Sequence, residues 1–239
     1  MLRDEAIAAH GGAERWARLR QLRLRVRVGG NILALRFKSP RTRALEVTVD
    51  TRHVNIALHP FPRQGLTGIF DGTSVRIEDA DRRVVRARDV RRDAEGRVIR
   101  RLIWDDLDLL YFLGYALWNY AVTPFVFTWP GVVCREGERW QERNGASWRR
   151  LHVTYPFGFP THSPDQTFYF DDAGLLRRLD YTADVFGSSA RGAHYCEDHR
   201  DFGGIVVPTH RVVYTRGTPG HPIRLIKIME GWIDDVQAW

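Results

Sequence analysis

Cysteine is almost missing from this chain: 239 residues hold two, Cys134 and Cys196. Two cysteines make no disulfide framework, which predicts a reduced protein. Lysine is as scarce, so the net charge of +7 is carried almost wholly by arginine, with Lys38 and Lys227 the only lysines. A basic balance invites nucleic acid or anionic lipid. Here the arginines are spread along the outer faces of predicted strands and interleaved with acids. No Arg-rich helix, zinc-finger spacing or RNP-like aromatic motif is present, which predicts a solvated basic surface and no nucleic-acid partner. The opening MLRDEAIAAHGG lacks an apolar h-region. The expectation is a chain with no signal peptide and no lipid-anchored cysteine, located in the cytoplasm.

Chemical signatures are missing too. There is no GxGxxG after a strand and no GxxxxGK[ST], so no nucleotide cofactor is expected. His-x-His, CxxC and HExxH are all absent, and there is no GxSxG elbow. His194, Cys196 and Asp198 fall on one strand face by period two, and His162 or His210 is near enough in the meander to join them. A mixed polar strand face is more often solvated, and no metal site is predicted.

What is present is aromatic: twelve Phe, eight Tyr and eight Trp, enough for a sizeable core. The organising stretch is WDDLDLLYFLGYALWNYAVTPFVF, residues 104–127. Asp105 is a good N-cap, and Asp106 and Asp108 put negative charge in the first turn. Leu109, Phe112, Leu113, Ala116, Leu117 and Tyr120 make one helical stripe, while Leu107, Leu110, Tyr111, Tyr115 and Trp118 make the opposite side apolar as well. A helix apolar all round is buried. Pro124 ends it. A membrane span needs about 20 mostly apolar residues; acids at one end, Asn119 within and Pro124 near the other end predict no stable membrane insertion.

The rest reads as short strands. Residues 3–18 predict an amphipathic helix, broken by Gly11-Gly12. Leu22, Leu24, Val26 and Val28 alternate with Arg23, Arg25 and Arg27, a half-buried strand. Gly29-Gly30-Asn31 predicts a hairpin turn with a return strand over 32–37, closed by Ser39-Pro40. Strands follow over 43–50, 52–58, 74–78 and 83–88, and 89–101 reads as an exposed approach to the helix. After the helix come strands over 132–136, 140–143 and 148–155, the latter two joined by Asn144-Gly145. Further strands are expected at 166–170, 175–185, 193–201, 204–214 and 222–230, with 232–239 an aromatic tail. Many short strands, interrupted once by helix, predict a mainly β fold: an antiparallel meander forming an open barrel around a buried central helix, plus a short N-terminal helix, in a single domain over 1–239.

A leading helix with His10-Gly11-Gly12, alternating strands, an Asp71-Gly72 turn, a mid-chain helix and a closing meander together resemble the LolA/LolB-like fold. Characterised members are periplasmic or outer-membrane carriers of lipoprotein acyl chains, and some proteins of this fold are enzymes of secondary metabolism. The resemblance implies an unclosed antiparallel barrel wrapped around a helical lid, with a cavity for something hydrophobic. The absent lipobox cysteine sets this chain apart from the lipoprotein-sorting members.

Three functions follow as expectations. The first is binding of a lipophilic small molecule or acyl chain beneath the 105–123 helix, with Tyr111, Phe112, Tyr115, Trp118 and Asn119 lining the site. The second is cofactor-free general acid–base catalysis on a hydrophobic substrate in the same cavity by His162, Asp180 and His194, with Tyr181, Tyr195 and Arg211 as substrate-binding groups that orient it or stabilise charge. The third is a protein-interaction module whose aromatic tail docks a partner. Oligomeric state is not legible.

Overall fold

The computed structural model describes residues 1–39, 41–90, 103–218 and 220–239. Most of the charged stretch expected to approach the helix, and Pro40 of the expected Ser39-Pro40 closure, lie outside the described residues. The chain divides into two compact units: Met1–Arg18 with Val122–Trp232, and Leu19–Ala121 with Ile233–Trp239.

In the second unit, β1 (Gln21–Gly29) buries Leu22, Leu24 and Val26 and turns its arginines outward, as the alternation predicts. β2 (Arg43–Asp50) pairs with it antiparallel, Leu22 opposite Val49 and Val26 opposite Leu45. β3 (Ile56–His59), β4 (Thr67–Phe70), β5 (Ser74–Glu78) and β6 (Val84–Asp89) extend the meander. Two expectations are corrected here. The return strand over 32–37 is a 3-10 helix, Asn31–Arg36, with Leu33 buried and Leu35 exposed. Apolar residues in so short a run fit either period, and β2 takes the edge of β1 instead. The strand expected from 52 starts only at Ile56, because the Asp50 carboxylate accepts from the backbone N–H of Arg52 (2.7 Å) and His53 (3.0 Å) and turns the chain.

The central helix is α3, Asp106–Val122; α1 (Leu2–Ala9) and α2 (Ala13–Arg18) precede it as the pair that the glycines predict. Asp105 caps α3 reciprocally. Asp108 N–H donates to Asp105 Oδ1 at 3.0 Å and Asp105 N–H to Asp108 Oδ2 at 2.8 Å. Arg88 closes on both carboxylates. No helix among the described residues is long and apolar enough to cross a membrane.

In the first unit, a 3-10 turn (Phe125–Thr128) leads into β7 (Val133–Gln141), β8 (Ser147–Thr154), β9 (Asp165–Phe170), β10 (Leu176–Thr182), β11 (Arg191–Asp201), β12 (Val206–Arg216) and β13 (Pro222–Ala238). The two strands expected over 132–143 are one, β7, with a register shift between Gly137 and Trp140. The aromatic tail is no tail: 232–238 continues β13, and the backbone of Trp239 bonds that of Arg20 and Gln21 beside β1. The interaction reading loses the element it was built on.

Among the described residues one sheet of thirteen strands runs β6-β5-β4-β3-β2-β1-β13-β12-β11-β10-β9-β8-β7. Strand neighbours in sequence pair antiparallel, and β6 and β7 remain as edges, so the sheet is unclosed. The mainly β, open-barrel class with a central and an N-terminal helix holds.

Candidate functional site

Register sorts the first unit's polar residues onto two faces. Leu179 lies opposite His194 and Phe168, and His194 opposite Val213, so these four share one face, with Tyr181 two residues along β10. Cys196, opposite Arg211, lies on the same face. Arg178 lies opposite Tyr195 and Tyr169, and Asp180 opposite Ala193, on the other face.

The first face is apolar with a few polar insertions. Leu151, Phe168, Leu179 and Val213 are buried, and the Phe127 ring meets Phe168 at 4.8 Å. The His162 ring stacks on Tyr181 at 3.9 Å, the two planes nearly parallel. Tyr181 Oη lies 3.4 Å from His194 Nδ1. Arg211 Nη1 donates to Cys196 Sγ at 3.2 Å, and its side chain is 7% exposed. Burial depresses both imidazoles: His162 falls to about 3, and His194 goes well below the usual histidine range, with the Arg211 charge adding to it. Burial raises the Cys196 thiol. Further along, His10 donates from Nδ1 to the Ala6 carbonyl at 2.8 Å and meets the His199 ring edge-on at 6.1 Å. His10 is also depressed, by burial first.

The second face holds an ion network that sequence reading passed over. Arg178, wholly buried, forks onto Asp180 (Nε to Oδ1, 2.7 Å; Nη2 to Oδ2, 2.9 Å) and donates from Nη1 to Glu142 Oε2 at 3.0 Å. Its Nη2 also reaches the Gly220 carbonyl. The Tyr169 hydroxyl donates to Asp180 at 2.9 Å and the Tyr195 hydroxyl to Glu142 at 3.2 Å. The Tyr169 and Tyr195 rings lie 4.9 and 5.5 Å from the guanidinium, and Trp140 lies 5.4 Å away. Burial pushes the Asp180 carboxyl up while Arg178, Arg216 and Tyr169 pull it down. The available signal was Arg-x-Asp at period two within the apolar strand LRRLDYT.

His162, Asp180 and His194 therefore do not converge. His162 and His194 meet at Tyr181, whereas Asp180 opens on the opposite face with Tyr195. His210 sits with Glu197 (3.2 Å) and Glu230 (3.0 Å) and stacks on Trp232, again away from His194. Asp198 departs from the strand alternation: it has φ +54° and is exposed, while His194 and Cys196 are buried. Among the described residues no three His, Cys, Asp or Glu side chains are placed to hold a metal.

In the second unit, α3 presses one stripe onto the sheet. A Cβ on Gly114 would lie 2.8 Å from that of Phe70, and Leu110 comes as close over Gly68. Trp118 Nε1 donates to the carbonyls of Asp50 and His53, both at 3.1 Å. Asn119 Nδ2 donates to the Tyr115 carbonyl one turn back at 2.7 Å. Tyr111 packs edge-on against Phe70 (5.5 Å) and Tyr115 (5.2 Å), and Phe112 against Tyr115 (5.8 Å). Leu109 and Leu113, on the other stripe, are buried too.

An unclosed antiparallel meander carrying one buried helix defines a fold class. Its solved representatives include a DUF1329 family protein from Desulfovibrio piger, which superposes with a TM-score of 0.54 at 12% identity over 99% of this chain and 91% of that one. A LolA superfamily protein from Nitrosomonas europaea gives 0.51 at 10% identity over 91% and 84%. The chain has a LolA/LolB-like fold. No family model matches the sequence, and no curated protein matches it either.

Proposed function

We propose that the chain binds a lipophilic small molecule or an acyl chain on the first face of the β7–β12 sheet. The observation that carries this reading is the make-up of that face. Leu151, Phe168, Leu179, Val213 and Phe127 supply apolar surface, and only a few polar groups, Tyr181, His194 and Arg211 among them, project into it. Ligand sites are built in this way: apolar lining gives affinity, and sparse polar groups fix orientation. Tyr195 faces away and serves the Arg178 network instead. In the second unit, Tyr111 and Phe112 are proposed as a separate apolar contact, while Trp118 and Asn119 bond to backbone. Acid–base catalysis asks for His162, Asp180 and His194 on one wall, and the register parts them.

Native mass spectrometry of the purified full chain, with organic extraction of what it carries, tests the proposal. A stoichiometric lipophilic molecule, or saturable uptake of a fatty-acid probe by protein stripped of it, is expected. A clean mass together with no uptake of fatty acids, fatty alcohols or hydrophobic dyes overturns the reading.

A further inference from the structure

The loop between β1 and β2 carries apolar side chains that the fold leaves in water. It turns through the 3-10 helix Asn31–Arg36, closed by Phe37 N–H on the Ala34 carbonyl at 3.1 Å and Lys38 N–H on the Leu33 carbonyl at 3.0 Å. Leu33 is buried and anchors the turn, whereas Leu35 is 64% and Phe37 76% exposed. Phe37 sits in the left-handed region at φ +56°, which glycine or asparagine enters more easily than a bulky residue. Trp104 N–H donates to the Arg36 carbonyl at 3.2 Å and brings the backbone of Ile103, itself 54% exposed, to the same turn. One exposed leucine is ordinary; large apolar side chains grouped at one loop mark a contact surface. The charge around them has one sign. Residues 31–43 hold Arg36, Lys38, Arg41 and Arg43 and no acid. The acids that open α3 are already answered: Asp106 by Lys38 at 2.9 Å, Asp105 by Arg86 at 2.9 Å and by Arg88, and Asp108 by Arg88.

Independently of the binding function proposed above, we infer that this loop docks the chain on the surface of an anionic lipid bilayer. Leu35 and Phe37, with Ile103 beside them, enter the boundary between headgroups and acyl chains, and the cations of 36–43 stay level with the headgroup phosphates. Charge selects this occupant. A second copy of the chain would bring the same cations against these, and like charges repel. An anionic bilayer offers apolar depth and negative charge together. The docking is shallow and peripheral, and it needs no helix that crosses the membrane; among the described residues there is none.

Cosedimentation of the full chain with vesicles of phosphatidylcholine alone, or of equal parts phosphatidylcholine and phosphatidylglycerol, tests this. The anionic vesicles are expected to bind at least about tenfold tighter, the scale of a few surface cations, and to release the chain as salt rises. A variant carrying Leu35→Ser and Phe37→Ser is expected to lose at least about tenfold in binding to the anionic vesicles. Its urea midpoint should not move, because both side chains are exposed. Phe157→Ser, at a fully exposed apolar position in the other unit, is the control and is expected to bind like the wild type. No binding to either vesicle, equal binding to both, or a double variant that binds like the wild type overturns the inference. So does a loss in Phe157→Ser that matches the loss in the double variant. Self-association of the wild type that the double variant abolishes, without any vesicle binding, overturns it in favour of a contact between copies. Should the double variant fail to fold, hydrogen exchange of the wild type decides. Protection of 31–43 on adding anionic vesicles supports the inference, and protection confined to other segments refutes it.

Discussion

His10, His162 and His194 are buried as neutral imidazoles, and that ties folding to pH. Their folded-state values lie below the unfolded value near 6.5, so below that pH the unfolded chain binds protons that the folded chain refuses. Stability is then fully present above about pH 6.5 and drains away on acidification, at up to about 1.4 kcal/mol per pH unit for each histidine. Urea unfolding at pH 7.5, 6.5 and 5.5 reads this directly. The midpoint is expected to fall steadily, and His162→Gln with His194→Gln to flatten the slope. A midpoint that does not move would mean that these rings are open to water. On the other face, Asp180→Ala strips Arg178 of its forked partner in a buried place. The expected loss is about 3–5 kcal/mol, measured by chemical denaturation. Asp180→Asn, which keeps the shape, is expected to lose less. A loss below about 1 kcal/mol would show the network to be solvated.

At the level of elements, α3 was legible because it carries every signal at once: an N-cap, acids in the first turn, apolar stripes and a closing proline. Asp105→Ala removes the cap and the partner of Arg86 and Arg88. It is expected to lower stability by about 1–2 kcal/mol, visible as a fall in thermal midpoint with unchanged circular dichroism. Gly114→Ala sets two effects against each other. Helix propensity favours alanine by about 1 kcal/mol. The new Cβ would stand 2.8 Å from that of Phe70, backbone-anchored on β4 and unable to swing aside. Overpacking wins, with a net loss of about 1–2 kcal/mol; a stabilised variant would show that helix and sheet can part without cost.

Strand existence was equally readable where alternation was strict, as in β1. It failed at 31–36, where six mixed residues satisfy two periods, and at 52–55, where Asp50 turns the chain through its own side chain. The candidate site was only half legible. Period two rightly put His194 with Cys196. Which of β10's residues faces them depends on the β10–β11 register, Leu179 opposite His194 and Asp180 opposite Ala193, and that register is not written in composition. That is why Asp180 was grouped with His194 although it opens on the opposite face.

For the molecule as a whole, β13 is the consequential strand. Its first part pairs with β12, His210 opposite Trp232 and Val213 opposite Met229. Its last residues belong with β1: Arg27 forks onto Asp234, Arg25 reaches Asp235, and Trp239 exchanges backbone hydrogen bonds with Gln21. Deleting 233–239 would leave β1 with β2 as its one neighbour. Its N–H and C=O groups would then line an open edge nine residues long, flanked by Leu22, Leu24 and Val26. The outward arginines of β1 blunt such an edge in part, but the row of unpaired backbone groups still templates further strands. The truncated chain is therefore expected to elute as aggregate in size-exclusion chromatography and to unfold at lower urea than the full chain. Replacing Trp239 alone, whose side chain is half exposed, is expected to change neither, because its contribution is made by backbone atoms. If the truncated chain stays monodisperse with the same midpoint, β1 is held by β2 alone, and the C-terminal strand lies on the sheet without supporting it.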